Sequence, residues 1–268
     1  MEKELMFRSF DGTELYMKQT LPTAPKAAVL IVHGLCEHQG RYDYVAGRMQ
    51  EGGLAVFRFD HRGHGRSGGK RVFYSDFNEI ADDVHEAFKI MRAACPGLKL
   101  FVLGHSMGGY ATALFGTKYP GLATGILLSG ALTRYNHKLM GELPMPGSPE
   151  DYFDNALGDG VCSDPAVVKA YVNDPYVEKR ISVGLCNSLG AGIAWLKANP
   201  AKFTCPVLVM HGANDGLVSE RDSREFFGEI ASKDKGLFIY PLLFHEILNE
   251  PCKDEIIADI LRWVNRRL

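Results

Sequence analysis

A glycine-flanked serine is the feature of this chain best suited to nucleophilic chemistry. It lies in the run Gly104-His105-Ser106-Met107-Gly108, between a short apolar segment and a helix-like segment. A strand, a tight G-x-S-x-G turn and a helix together lift a serine hydroxyl off the backbone. Glycine is needed on both sides because a Cβ there would clash with the neighbouring strand or helix. The pattern predicts that Ser106 is a nucleophile.

A serine alcohol is a poor nucleophile unless a histidine takes its proton and a carboxylate holds that histidine. Enzymes with this strand–turn–helix arrangement have their catalytic residues in the chain order serine, acid, histidine. Only His137, His211 and His245 follow Ser106. His137 falls in an irregular segment, and His211 ends a strand, where a structural role is more usual. His245 follows the last predicted strand, so we predict that it is the base.

Asp215 is the predicted acid, because it comes just beyond a predicted strand over 206–210. An ordinary Asn-Asp-Gly turn is the structural alternative at this position. Three other carboxylates are weaker candidates: Asp222, Asp234 and Glu246. Glu246 adjoins the histidine, and we expect its side chain to point away from it.

Attack on a carbonyl creates an oxyanion that needs two backbone N–H donors. One donor is the residue after the nucleophile, here Met107. The other comes from the loop after an early strand, which reads His33-Gly34-Leu35-Cys36. We assign the second donor to Leu35.

Strand and helix signals alternate around these residues. Apolar or alternating runs predict strands over 5–9, 13–19, 27–32, 54–59, 99–103, 125–128, 206–210 and 237–240. Helical patterns cover 41–50, 110–118, 221–230 and 249–267, with another helix after a capping box formed by Asp76 and Glu79. Alternating elements predict a mostly parallel sheet with helices on both faces, and chemistry at the carboxyl ends of its strands.

The alternation stops between residues 132 and 199, which are rich in proline. A structureless stretch of that length is improbable in a compact domain. We predict an inserted, mostly helical cap over 132–199 and a core formed by 1–131 and 200–268. The Leu/Met/Pro run at 139–146 motivates a further hypothesis, transient contact of the cap with a membrane surface.

Composition excludes several other classes of protein. The 268 residues include 46% hydrophobic ones, and the formal net charge of -2 without a basic stripe argues against nucleic-acid binding. The six cysteines show no C-x-x-C or paired metal-ligand spacing, so we expect neither a metal nor an organic cofactor. The first residues lack the apolar core of a signal peptide, and no apolar stretch could span a bilayer. We expect a cytoplasmic protein with free thiols.

Three segments of the chain resemble the monoacylglycerol lipase / lysophospholipase family of the α/β-hydrolase superfamily. They are residues 33–42, 60–67 and 104–109. The first, with the pattern H-G-x-x-E-H-x-x-R-Y, is the most discriminating. The superfamily resemblance extends over the whole length of the chain.

The resemblance implies an α/β-hydrolase fold with a cap that cleaves monoacylglycerols to glycerol and fatty acid through an acyl-enzyme. It also implies that Glu37 and Arg41 bind the glycerol end, although an ion pair that only braces the loop is equally open. The chain departs from the family at Cys36, where a small residue is common, and at Leu248, where some members have a second histidine.

Two alternatives remain open at the level of sequence. The same machinery would serve a general carboxylesterase, a lysophospholipase or an amidase, because fold and triad do not separate these substrates. A non-catalytic hydrolase-fold protein that binds a ligand belongs to another class, but such proteins have usually lost a member of the triad. A metal site built from Cys36, His38, His61 and His64 lacks a recognised spacing.

Overall fold

The computed structural model of the protein describes residues 2–268, apart from the side chain of Asp159. In the first half the elements are β1 Glu2–Arg8, β2 Glu14–Thr20, β3 Ala27–Val32, α1 Asp43–Glu51, β4 Leu54–Phe59, α2 Phe77–Ala94, β5 Lys99–His105, α3 Met107–Lys118 and β6 Gly125–Ser129. In the second half they are β7 Tyr152–Asp154, α4 Pro165–Asn173, β8 Arg180–Ser182, α5 Val183–Ala198, β9 Val207–Gly212, α6 Glu220–Glu229, β10 Lys235–Tyr240 and α7 Lys253–Asn265.

Eight strands form one sheet in the order β1-β2-β4-β3-β5-β6-β9-β10. The pairs β1–β2 and β2–β4 are antiparallel, and every other pair in this sheet is parallel. The prediction of a mostly parallel sheet that begins with a hairpin is confirmed. Since the carboxyl ends of β3, β5, β6, β9 and β10 meet at one edge, the loops that follow them can build a common site.

Helices cover both faces of this sheet, as predicted. Alternate side chains of β3 enter opposite hydrophobic clusters, as the period of two in a strand requires. Leu30 joins the cluster that contains α2 and α3, whereas Val29 and Ile31 join the cluster that contains α1 and α7. All six residues of β3 are buried, which explains why its sequence is a continuous apolar run.

The start of α2 differs slightly from the predicted capping box. Asp76 caps the helix, since its carboxylate accepts a hydrogen bond from the Asn78 N–H at 2.7 Å. The Glu79 carboxylate does not accept from the Asp76 N–H, as a capping box requires. It accepts instead from the N–H and the hydroxyl of Ser75, at 3.0 and 2.6 Å.

The segment 132–199, which we call the cap segment, carries α4, α5 and the small antiparallel pair β7–β8. Residues 130–151, which include the first part of the cap segment, form neither helix nor strand. The helical prediction therefore holds for α4 and α5 but not for this stretch. Pro144, Pro146 and Pro149 interrupt any helix in its second half. A side chain holds the backbone there: the Asn187 amide oxygen accepts from the Met145 N–H at 2.6 Å.

The turn between β5 and α3 has a tight backbone geometry. Ser106 has φ 55° and ψ −120°, and α3 begins directly after it. A Cβ at Gly104 would lie 2.3 Å from the Gly108 carbonyl oxygen, and a Cβ at Gly108 would lie 2.2 Å from the Val32 carbonyl oxygen. Both glycines are therefore required by contacts with backbone that cannot move away.

Among residues 2–268, no helix combines the length and the apolar composition that crossing a bilayer requires.

We expect Gly108→Ala to lower the free energy of unfolding by about 3 kcal/mol, because the added methyl group overlaps backbone oxygens. Gly47→Ala in α1 is the matched control. Its Cβ would meet nothing within 4 Å, so the better helix propensity of alanine should raise stability by up to about 1 kcal/mol. Urea unfolding of both variants measures the difference. Equal stability of the two variants would contradict the role assigned to Gly108.

Candidate active site

Three loops at the carboxyl edge of the sheet bring the predicted nucleophile, acid and base to one place. Ser106 follows β5, Asp215 follows β9 and His245 follows β10. Ser106 and His245 line the same pocket. Asp215 lies behind the histidine, and its carboxylate has no exposed surface.

The carboxylate of Asp215 holds His245 in one orientation. His245 Nδ1 lies 2.7 Å from Asp215 Oδ2, so Nδ1 carries a proton and Nε2 is left as the acceptor. Asp215 Oδ1 accepts the backbone N–H groups of Leu217 and Val218, both at 2.9 Å. The turn that could have been an ordinary Asn-Asp-Gly turn thus fixes the carboxylate from behind.

A second histidine also contacts this carboxylate, and sequence reasoning gave it only a structural role. His211 Nε2 lies 2.9 Å from Asp215 Oδ2, and its Nδ1 lies 2.7 Å from the Ser223 hydroxyl. His211 is completely buried and is not among the described residues that line the pocket. It therefore positions the acid. The His-x-x-x-Asp spacing that begins near the end of β9 was the available signal.

Neighbouring charges shift the pKa values of His245 and Asp215. Burial would lower the pKa of His245, but Asp215 chiefly, and then Glu246 and Glu37, raise it above its usual value. Burial would raise the pKa of Asp215, but the two histidines lower it well below the usual range. The arrangement favours the ion pair that forms when His245 accepts a proton.

His105 lies beside the base without competing for its proton. The ring centroids of His105 and His245 are 4.6 Å apart. Complete burial and the neighbouring His245 lower the pKa of His105 to about 3. His105 therefore stays neutral and packs against the face of the base.

The predicted oxyanion donors line the same pocket as the serine. Met107 is the first residue of α3, so its N–H has no acceptor within the helix. Leu35 lies in the loop after β3, and both residues line the pocket. Cys36 comes next, with φ 64°. Its thiol is buried, which raises its pKa well above the usual value and makes it a poor nucleophile at neutral pH.

Glu37 and Arg41 form an ion pair that extends to a third residue. Arg41 Nη1 lies 2.8 Å from Glu37 Oε2 and 2.5 Å from Glu246 Oε1, while Arg41 Nη2 lies 2.8 Å from Glu246 Oε2. Glu37 Oε1 accepts from the Gly34 N–H and the Tyr42 hydroxyl. The network joins the oxyanion loop to the loop that carries His245.

Glu246 does not turn into solvent. It is 4% exposed, and it lines the pocket together with Glu37. Arg41 is not among the described lining residues; the ring of Tyr171, which does line the pocket, lies 4.9 Å from its guanidinium. A role for Glu246 was missed because adjacency to the base says nothing about the direction of its side chain.

The rest of the pocket is apolar, and the cap segment supplies most of this surface. The cap segment contributes Leu132, Tyr135, Leu139, Met140, Leu157, Val161 and Tyr171. Leu217 and Val218, from the loop after β9, complete these walls. A pocket with one polar end at the nucleophile and apolar walls elsewhere suits an amphiphilic ester.

The other residues considered from sequence lie away from this pocket. The weaker acid candidates bind elsewhere, Asp222 to Asn136 and Asp234 to Arg267. Leu248 packs in the cluster with α1 and α7. Within the described part of the chain, no three His, Cys, Asp or Glu side chains are grouped as metal ligands would be.

The fold and the site define the class of protein: this is an enzyme of the α/β-hydrolase superfamily. Its serine lies in a sharp turn between a strand and a helix, and the cap segment lines the same pocket. The family described as "Serine aminopeptidase, S33" matches residues 23–252. The chain belongs to this family.

Related proteins and solved structures show which members of the superfamily this chain resembles. The chain is 38% identical to the monoacylglycerol lipase of Mycolicibacterium smegmatis, over 97% of this chain and 96% of that protein. It is 30% identical to the human monoglyceride lipase, over 96% of this chain and 88% of that protein. The monoacylglycerol lipase of Paleococcus ferrophilus matches with a TM-score of 0.82 and 27% identity, over 95% of this chain and all of that one. The resemblance drawn from sequence is confirmed.

The raised pKa of His245 predicts how reactivity depends on pH. Labelling of the protein by a fluorophosphonate needs an unprotonated base, so its rate should fall about tenfold per pH unit below the pKa of His245. The midpoint should lie above 6.5, the ordinary pKa of histidine. His85→Asn, a change remote from the pocket, should leave the midpoint unchanged. A midpoint at or below 6.5 would argue against the arrangement of Asp215 and His245.

Proposed function

We propose that the protein is a serine hydrolase that cleaves monoacylglycerols to glycerol and fatty acid. The observation that carries the proposal is a single pocket in which Ser106 and His245 adjoin carboxylates at one end and apolar walls elsewhere. The monoacylglycerol lipases to which the chain is similar over nearly its whole length support the same substrate class.

In the acylation step, Ser106 attacks the ester carbonyl while His245 Nε2 takes the hydroxyl proton. Asp215 stabilises the imidazolium that forms, since its carboxylate already contacts Nδ1 at 2.7 Å. The N–H groups of Leu35 and Met107 hold the oxyanion. His245 then returns the proton to the glycerol oxygen, and glycerol leaves.

Deacylation repeats the sequence with water. His245 takes a proton from water, which attacks the acyl-enzyme, and the same two N–H groups hold the second oxyanion. As the second tetrahedral intermediate collapses, His245 gives that proton to the Ser106 oxygen, the bond between this oxygen and the acyl carbon breaks, and the fatty acid leaves. Every proton in this cycle is exchanged through His245, so the proposed chemistry uses this chain's own residues throughout.

The ends of the substrate are assigned by chemistry. The acyl chain lies along the apolar walls supplied largely by the cap segment. The glycerol hydroxyls donate to the carboxylate of Glu37, an acceptor-only group. Arg41, whose guanidinium is occupied by two carboxylates, acts through Glu37 by holding it in place and does not touch the substrate.

Replacement of the nucleophile tests the proposal. Ser106→Ala should lower fatty acid release from monoacylglycerol by at least about a thousandfold, because transition-state stabilisation alone remains. Ser148→Ala, a change at an exposed serine of the cap segment, should retain full activity. Substantial turnover by Ser106→Ala would exclude Ser106 as the nucleophile.

A substrate series separates the competing functions. Monoacylglycerols of graded chain length should be preferred over di- and triacylglycerol, lysophospholipid and short p-nitrophenyl esters. Activity on short esters alone would make the protein a general carboxylesterase. Activity on no ester would favour an amide substrate or a non-catalytic binding protein.

We also propose that the cap segment is a movable lid whose tip meets lipid surfaces, and that the protein works in the cytoplasm. The six free thiols are consistent with a reducing compartment. Leu139 supports the lid proposal, because it lines the pocket and is also 41% exposed. Met140, Leu143 and Met145 pack against the core, so the contact would be small.

Flotation with phosphatidylcholine vesicles checks the lipid contact. Wild-type protein should float, and Leu139→Ser should float less because the exposed apolar tip is lost. Val172→Ser is the matched control, since Val172 is 53% exposed on the cap segment but does not line the pocket. Absence of wild-type protein from the vesicle fraction would refute the contact.

A further inference from the structure

The polar end of the pocket carries more negative than positive charge. Glu37 and Glu246 line it, and the neighbouring cation is Arg41, which both carboxylates share. None of the described lining residues is lysine or arginine. With His245 neutral and Asp215 behind it, the region around the nucleophile has a surplus of carboxylate.

Contacts of its side chain and its backbone hold Glu246 in one position beside the pocket. Both carboxylate oxygens accept from the Arg41 guanidinium, and Oε2 also accepts from the Asn249 side chain at 2.9 Å. Its backbone N–H donates to the Val161 carbonyl of the cap segment at 2.6 Å. The carboxylate is therefore a fixed part of the wall next to the base.

We propose that Glu246 determines head-group specificity: its fixed charge makes the site accept esters with uncharged or cationic head groups and reject those with anionic ones. The inference rests on the proposed function, because it concerns the group that the same ester releases. It assigns a role to a residue that follows the base directly and takes no part in proton transfer.

Electrostatics gives the reason for this discrimination. An anion in a partly buried pocket interacts with nearby carboxylates at an effective dielectric constant far below that of water. A phosphate group is normally bound by arginine or lysine through charged hydrogen bonds, and the described lining offers neither. A glycerol hydroxyl, in contrast, is uncharged and can donate a hydrogen bond to a carboxylate, so it brings no further negative charge into the pocket.

Arg41 is not free to turn and bind an anionic head group. Turning it toward a phosphate would take its guanidinium away from Glu37 and Glu246, whose side chains are 4% and 5% exposed. Leaving two buried carboxylates without their shared cation is strongly unfavourable. The ring of Tyr171 also covers the guanidinium, so the cation stays behind the wall.

The test compares three esters with the same acyl chain and different head-group charge: 1-acylglycerol 3-phosphate, monoacylglycerol and acylcholine. Wild-type enzyme should prefer the neutral ester over the anionic one. In Glu246→Gln, the ratio of kcat/KM for the anionic to the neutral ester should rise about tenfold. The ratio for the cationic to the neutral ester should fall in the same variant. A merely structural defect would not move the two ratios in opposite directions.

Two further variants sharpen the result. Glu246→Asp keeps the charge and changes the contacts, so it should keep the wild-type order of the three esters. Glu51→Gln removes one charge from the exposed surface, where its side chain is 64% exposed, and should leave both ratios unchanged. Removing the charge of Glu246 should also shift the acid limb of the fluorophosphonate labelling profile to lower pH, because Glu246 helps to raise the pKa of His245.

The outcomes separate the two proposals. Equal wild-type rates on the anionic and neutral esters, or ratios that do not change in Glu246→Gln, would overturn the role of Glu246 while leaving the proposed function intact. Failure of the wild-type enzyme to hydrolyse the neutral ester would overturn the proposed function, and this inference with it.

Discussion

The backbone of Ser106 is the constraint on which the rest of the site depends. A positive φ at a residue with a Cβ is unfavourable, and this one persists because the turn is held from several sides. The Ser106 N–H donates to Ser129 at the end of β6, and its carbonyl accepts from Leu132, where the cap segment begins. One turn thus positions the Ser106 hydroxyl, the start of α3 with its free N–H groups, and the first residue of the cap segment.

A second network determines how the loops around that turn are spaced. Arg41 lies on the chain after the oxyanion loop, and Glu246 lies on the loop of the base, yet their side chains are in direct contact. Burial would lower the pKa of Arg41, but Glu246 and Glu37 raise it, so the cation is retained inside the protein. Because breaking a buried ion pair is more costly than never forming it, this contact couples the position of the loop that carries His245 to that of the loop after β3.

Much of the core could be predicted from sequence, because strands buried on both faces leave an unmistakable apolar signal. β3 and β4 begin and end at the predicted residues, and the predicted nucleophile, acid and base follow strands that meet at one edge. The stretch 130–151 could not be predicted, since it has no periodic pattern and is held by individual side chains such as Asn187. The direction of Glu246 was equally hidden, because it depends on a bond to Val161, 85 residues earlier in the chain.

The carboxylates beside the nucleophile create a conflict that the local geometry resolves. Negative charge favours protonated His245 in both halves of the proposed cycle, but it opposes the oxyanion that forms at the same moment. Glu37 is the carboxylate in the oxyanion loop itself, and each of its oxygens already accepts from a donor: Gly34 and Tyr42 at Oε1, Arg41 at Oε2. Three donors share its charge, and in the proposed mechanism the Leu35 and Met107 N–H groups stabilise the oxyanion. The proposed cycle can therefore use a more basic His245 without a matching loss of oxyanion stabilisation.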